Sequence, residues 1–114
     1  MKVLLDNCVP YRLKRLLTEH AVSHAKDERW SNLENGKLLA AAADAGFDVF
    51  ITVDKKIKFE QNLNRLPLPI IEIDTADIRL PAIAAITAQI NQAISLVAKS
   101  RFISIGSDGT ITTT

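Results

Sequence analysis

The chain carries a single cysteine, Cys8, among 114 residues. One thiol excludes an intrachain disulfide framework and any CxxC zinc site, and it suits a reducing compartment. Aromatic residues are scarce too, at 5%, so the core must be largely aliphatic. An excess of charge is missing: 14 basic residues against 13 acidic ones leave a net charge of +1. That balance excludes a strongly basic nucleic-acid-coating protein and an acidic tail protein. Long hydrophobic runs are missing as well. The opening MKVLLDNCVP holds too short an apolar run for a signal peptide. The longest weakly charged stretch, between Arg79 and Lys99, is interrupted by Pro81 and carries Gln89, Asn91 and Gln92, which argues against a transmembrane helix. The expectation is a soluble cytoplasmic protein.

What is present reads as one globular domain, with 47% apolar and 24% charged residues. Short apolar runs predict strands over residues 3–5, 21–25, 49–53, 69–73 and 102–105. Between them lie helical patterns. Pro10 suits a first helical position, and a helix over 10–19 would bury Leu13, Leu16 and Leu17. Ser31 and Glu34 have the S-x-x-E spacing of a capping box, opening a helix that runs to Ala45 and stops at Gly46. A short helix is expected over 57–63. Ile83, Ile86, Ile90, Ile94 and Val97 mark one face of a long helix over 80–98, apolar nearly all round and so buried on more than one side. Residues 106–109 either turn a hairpin into Thr110, Ile111 and Thr112 or begin a frayed tail at 107–114. Strands alternating with helices predict an α/β fold, a mostly parallel sheet of about five strands covered on both faces.

The carboxylates fall at informative places. Asp6, Asp54 and Asp74 each follow an apolar run, so a parallel sheet brings them to one rim, where ligands bind in such folds. If the first and third strands are neighbours, Asp6 and Asp54 face each other, and two close carboxylates ionise together only around a cation. Oxygen donors of this kind suit Mg²⁺ or Mn²⁺, which could polarise a phosphodiester and activate water. Glu34 is a further candidate ligand, though the capping box claims it first, and Asn35 could offer a neutral amide oxygen to a metal-bound water. Lys55, Lys56 and Lys58 follow Asp54 and would attract substrate phosphate, with Arg12 and Arg15 adding to them if they share the rim. Cys8 reads as a small, partly buried residue rather than a nucleophile. His20 and His24 read as structural or exposed, and Trp30 as a packing residue ahead of the capping box.

The segments LLDNCVP, WSNLENGKLL and FDVFITVDKKIKFEQNL resemble the short PIN-like domain family, related to VapC-type toxin ribonucleases. The resemblance covers residues 1 to about 75 in motif detail. Its most specific part is a T-x-D followed by a basic residue and Gln-Asn-Leu, here Thr52, Asp54, Lys55 and Gln61 to Leu63. It implies a PIN-like three-layer sandwich over 1–106 whose clustered acids bind a divalent metal to cut RNA, with a small antitoxin-like protein as partner. Relatives usually read Asp-Glu where this chain has Asp6 and Asn7. They usually carry an acid near Asn35 or Lys37, and many have an aspartate where Lys56 stands. Fewer acids weaken an oxygen site directly.

Three readings compete. The first is a metal-dependent ribonuclease with Asp6 and Asp54 as its catalytic acids. The second is a catalytically weak or inactive module of the same fold that binds RNA or a protein, favoured by Asn7 and Lys56. A receiver domain of the response-regulator type, the third, needs an acid pair after the first strand and a lysine after the fifth, where this chain has Asn7 and Gly106. The uncharged helix over 80–98 predicts a homodimer contact. Charge is also uneven: residues 1–65 hold 11 basic and 9 acidic residues, and 66–114 hold 3 and 4.

Overall fold

Each apolar run offered as a strand becomes one. The computed structural model describes all residues, Met1–Thr114. Its strands are β1 (Lys2–Leu5), β2 (Ala21–His24), β3 (Val49–Thr52), β4 (Ile70–Asp74), β5 (Phe102–Gly106) and β6 (Ile111–Thr113). They make one six-stranded sheet in the order β2-β1-β3-β4-β5-β6. Every pairing is parallel except that of β5 with β6. Residues 106–109 therefore turn a hairpin, and 107–114 contribute a sixth strand to the same sheet. Gly109 closes that turn at φ +87, where a Cβ would also meet the Gln89 side chain at 3.2 Å.

Four α-helices, α1 (Asn35–Asp44), α2 (Ile57–Glu60), α3 (Leu80–Ala84) and α4 (Thr87–Ser95), join two 3-10 helices, Tyr11–Arg15 and Leu63–Arg65. On one face Leu38, Leu39 and Ile57 pack against Leu4, Phe50 and Ile70. On the other Leu13, Ile83 and Ile90 pack against Leu5, Ile51 and Ile71. All four β3 residues are buried, as a central strand covered on both sides requires. No helix is long and apolar enough to cross a membrane.

All four expected helices are corrected, the one over 57–63 because Gln61 turns extended at φ −113, ψ 148 and ends α2 at Glu60. The helix over 10–19 shrinks to the 3-10 helix Tyr11–Arg15, with no side-chain cap, no acid in its first turn and three cations on it. Without a side-chain cap or an acid, the N–H groups of its first turn have no stabilising partner at the N-terminus. The backbone settles for Leu13 N–H to Pro10 O and Leu16 N–H to Leu13 O, and Leu16 stays exposed. The helix over 80–98 breaks at Ala85 and Ile86. Thr87 Oγ1 donates to Ala84 O at 2.7 Å, Ile86 leaves helical geometry at φ −111, ψ 23, and the bend keeps Ile83, Ile86 and Ile90 all buried. Its outer positions, Ala85, Ala88, Gln92 and Ser95, are exposed, so this segment is buried on one side only. The helix expected to open at the Ser31 capping box starts at Asn35 instead, with Glu34 as its N-cap.

The 3-10 helix is tied to the loop after β2 through Asp27. Its carboxylate accepts from Tyr11 Oη, from Lys14 Nζ at 2.9 Å and from the His24 backbone N–H at 2.9 Å. Burial pushes this carboxyl up, but the Lys14, Tyr11 and His24 donors outweigh it and hold it well below the ordinary aspartate value of 3.8. A carboxyl depressed on folding contributes its stability above the unfolded value and loses it as pH falls through the folded one. Urea unfolding of Asp27→Asn against the parent should therefore show a deficit that is constant above pH 5 and shrinks as pH drops below 3.8.

Candidate functional site

The sheet order places β1 between β2 and β3. Chain connections leave β1 for one neighbour and return past it to the other, so the crevice beyond the carboxyl ends of β1 and β3 is where an open α/β sheet binds ligands. The last paired residues are Leu5 and Ile51, and the Asp6 N–H still bonds Ile51 O at 2.9 Å. Asp6 is thus fixed at the end of β1 and Asp54 just past the end of β3. Both line one cavity of about 640 Å³, together with Asn7, Cys8, Leu33, Glu34, Asn35, Lys56 and Glu60.

Thr52 joins the two acids. Its hydroxyl donates to Asp6 Oδ2 at 2.7 Å and accepts the Asp54 N–H at 2.9 Å. Asp6, only 4% exposed, also accepts the Asn7 N–H at 2.7 Å and the Cys8 thiol at 3.4 Å. Burial of the Cys8 sulfur, then the Asp6 charge beside it, raise the thiol's pKa. Cys8 therefore acts as a protonated donor toward Asp6 at neutral pH, although the residue as a whole is exposed rather than partly buried as expected. Asp54 accepts the Lys56 N–H on Oδ1 at 2.9 Å and the Asn35 side-chain amide on Oδ2 at 3.1 Å. Asn35 thus turns its N–H, not its carbonyl oxygen, toward the acid.

Glu34 is not part of a capping box. It occupies the N-cap position itself in extended geometry, φ −70, ψ 159, with no side-chain cap bond. Ser31 is held outside the helix: the Leu33 N–H bonds Trp30 O at 3.0 Å, and Asn7 Nδ2 reaches Ser31 O at 3.4 Å. Trp30 packs edge-on against Phe47 at 6.1 Å, which fixes that turn against the core. The Glu34 carboxylate is left on the cavity wall.

The lysine run divides. Lys56 lines the cavity. Lys55 Nζ pairs with Asp74 at 3.3 Å, and Lys58 Nζ approaches Glu72 at 3.6 Å. Asp74 lies outside the cavity lining, so it does not gather with Asp6, Asp54 and Glu34. Arg12 and Arg15 lie on the 3-10 helix and are also outside it.

Three residues have no role in the sequence reading: Thr52, Glu72 and Glu60, the last of them on the cavity wall. Thr52 appears there only as a motif letter, yet it is the bridge between the acids. Glu72, within the apolar strand β4, is fully buried. Thr52 and Glu72 pair in register, as do Glu72 and Ser104, so Asp6, Thr52, Glu72 and Ser104 form a polar row across four strands on one sheet face. A lone acid inside a doubly covered strand is the signal that could have exposed Glu72.

A hard divalent cation takes carboxylate oxygens and keeps several waters. Asp6 and Asp54 supply that donor type in one cavity and Glu34 shares it; Asp6 Oδ2 is filled by Thr52 and Cys8, but Asp6 Oδ1 and both Asp54 oxygens accept one bond each and keep a lone pair free. The residues therefore fit Mg²⁺ or Mn²⁺ bound largely through water. No group of three or more His, Cys, Asp and Glu side chains gathers closely enough to form a full protein cage. Thr52→Val removes the bridge, leaving the Asp54 N–H without its acceptor and Asp6 short of one donor. Loss of such a bond should cost about 1–3 kcal/mol in urea unfolding. Comparison with protein-family models, curated proteins and solved structures finds no match for this chain.

Proposed function

We propose that the chain is a PIN-like, divalent-metal-dependent endoribonuclease of the toxin–antitoxin type, acting on RNA phosphodiesters in the cytoplasm. The observation that carries this reading is the meeting of Asp6 and Asp54 in one cavity at the β1–β3 crevice, with Lys56 among its lining residues. Asp6 and Asp54 would hold the cation. When bound, it supplies Lewis-acid polarisation of the phosphodiester and a more acidic water. Asp6 is held by three donors and Asp54 by two, so both present their remaining lone pairs in fixed directions. Lys56 draws the phosphate toward the acids, and Glu34 can accept a proton at the cavity wall. A small antitoxin-like protein and a second copy of the chain are the partners this reading expects.

A second reading keeps the fold and the RNA but drops the chemistry. It is favoured by Asn7, whose side-chain amide turns to Ser31 O, and by Lys56, a cation where many members of the family the sequence resembles have an aspartate.

The test is calorimetric titration of the wild-type protein with Mn²⁺ and Mg²⁺, followed by RNA cleavage with each metal and with EDTA. Cleavage that needs the metal supports the ribonuclease. RNA binding with no cleavage in either metal supports the binding module. Neither metal binding nor RNA binding would sink both.

A further inference from the structure

Three of the chain's four phenylalanines are buried: Phe47 at 5% exposure, Phe50 at 0% and Phe102 at 4%. Phe59 is 82% exposed, the most exposed of the chain's large hydrophobic residues. It sits on α2, the four-residue helix whose flanking residue Lys56 and last residue Glu60 line the cavity. We infer that Phe59 is a base-stacking platform that makes the site select single-stranded RNA.

This inference rests on the ribonuclease or RNA-binding reading above and adds the substrate's form to it. The local sequence makes the platform rigid. Ile57, fully buried, pins α2 to the sheet, and Lys58 ties it again by reaching toward Glu72 at 3.6 Å. Phe59, two positions after Ile57, is carried to the opposite, outward side of the helix. Lys58 Nζ lies 5.4 Å from the ring centroid, adding positive charge beside a ring otherwise open to solvent. A strand whose base lies on Phe59 would sit beside Lys56 and Glu60, the residues of this segment that line the cavity. Base–aromatic stacking tolerates any base because each has a π-face. A duplex keeps those faces stacked on one another, so an exposed ring outside the cavity rewards only unpaired nucleotides.

The experiment uses fluorescence anisotropy with three labelled probes: a short oligouridylate, an abasic oligomer of the same length, and an RNA duplex. Each is measured in EDTA and in Mg²⁺ against wild type, Phe59→Ala, Phe59→Leu and Phe59→Trp. Alanine and leucine should weaken oligouridylate binding by roughly tenfold to a hundredfold, and tryptophan should preserve it. The abasic oligomer should bind wild type and Phe59→Ala equally, and the duplex should bind more weakly than the single strand. Because the ring is exposed, thermal unfolding should not move between the variants. Equal binding of oligouridylate by wild type and Phe59→Ala, or a leucine variant as good as wild type, would overturn the platform while leaving the RNA reading intact. A wild type that binds none of the three probes overturns the platform together with the reading beneath it.

Discussion

Asp6→Asn and Asp54→Asn should each lower metal-dependent RNA cleavage by about a hundredfold or more while leaving the protein folded. The magnitude has a floor: residues that only orient a metal ligand typically change affinity or activity ~10- to 100-fold, and these two side chains are the proposed ligands themselves. Asparagine nearly matches aspartate in shape and keeps one acceptor oxygen. At position 54 that oxygen can still take the Lys56 N–H now bonded at 2.9 Å. At position 6 it can still take the Asn7 N–H now at 2.7 Å. What disappears is one negative charge, the part a divalent cation needs, and with it the second acceptor oxygen, which takes the Thr52 hydroxyl and the Cys8 thiol at position 6 and the Asn35 amide at position 54. Two groups that hold one ion act as a unit, so the double variant should be little worse than either single one. The readouts are initial cleavage rates in Mg²⁺ and Mn²⁺, the calorimetric metal affinity and a circular dichroism spectrum. Full activity in either variant would remove that residue from the site. Lost activity with unchanged metal affinity would place the residue on the substrate instead.

Both acids were legible in the sequence because their position follows from a simple rule. An apolar run that ends in a carboxylate puts the carboxylate at the end of a strand, and parallel strands share their carboxyl rim. Only the adjacency of β1 and β3 had to come from the structure, since strand order depends on long-range packing. Helix ends were harder. Ser31 and Glu34 satisfy a local spacing, but the Trp30 turn and the Asn7 contact hold Ser31 away from the helix, and that competition is tertiary. The break at Ile86 has the same origin. An even apolar spacing from Ile83 to Val97 describes one straight helix, while the structure keeps Ile83, Ile86 and Ile90 all buried with a bend at Ile86. Asp74 and Lys55 show a different limit: their partnership depends on where the loop after β3 lies, and the structure brings them together as an ion pair at 3.3 Å outside the cavity lining.

The Lys58–Glu72 pair should show a strong asymmetry. Glu72 has no exposed side-chain surface, and Lys58 keeps 35% of its own. Ser104 Oγ donates to Glu72 Oε1 at 3.1 Å, and Oε2 has no hydrogen-bond partner in the protein. Lys58→Ala therefore strands a buried carboxylate with one neutral donor. Breaking a buried pair from one side costs ~3–5 kcal/mol, and the lower end applies because the truncated lysine opens a path for water. Glu72→Leu should be much milder, within about 1.5 kcal/mol. It fits among Phe50, Ile70 and Phe102 on the same sheet face, and Lys58 can swing its ammonium into solvent on its apolar stem. In the double variant the two losses should not add. Glu72→Leu should recover most of what Lys58→Ala loses, a coupling that urea unfolding of the four proteins measures directly. A Lys58→Ala protein as stable as its parent would mean that water already serves Glu72. In the expected case the charge is structural: it holds α2 against β4, and so holds Lys56 and Glu60 on the cavity wall.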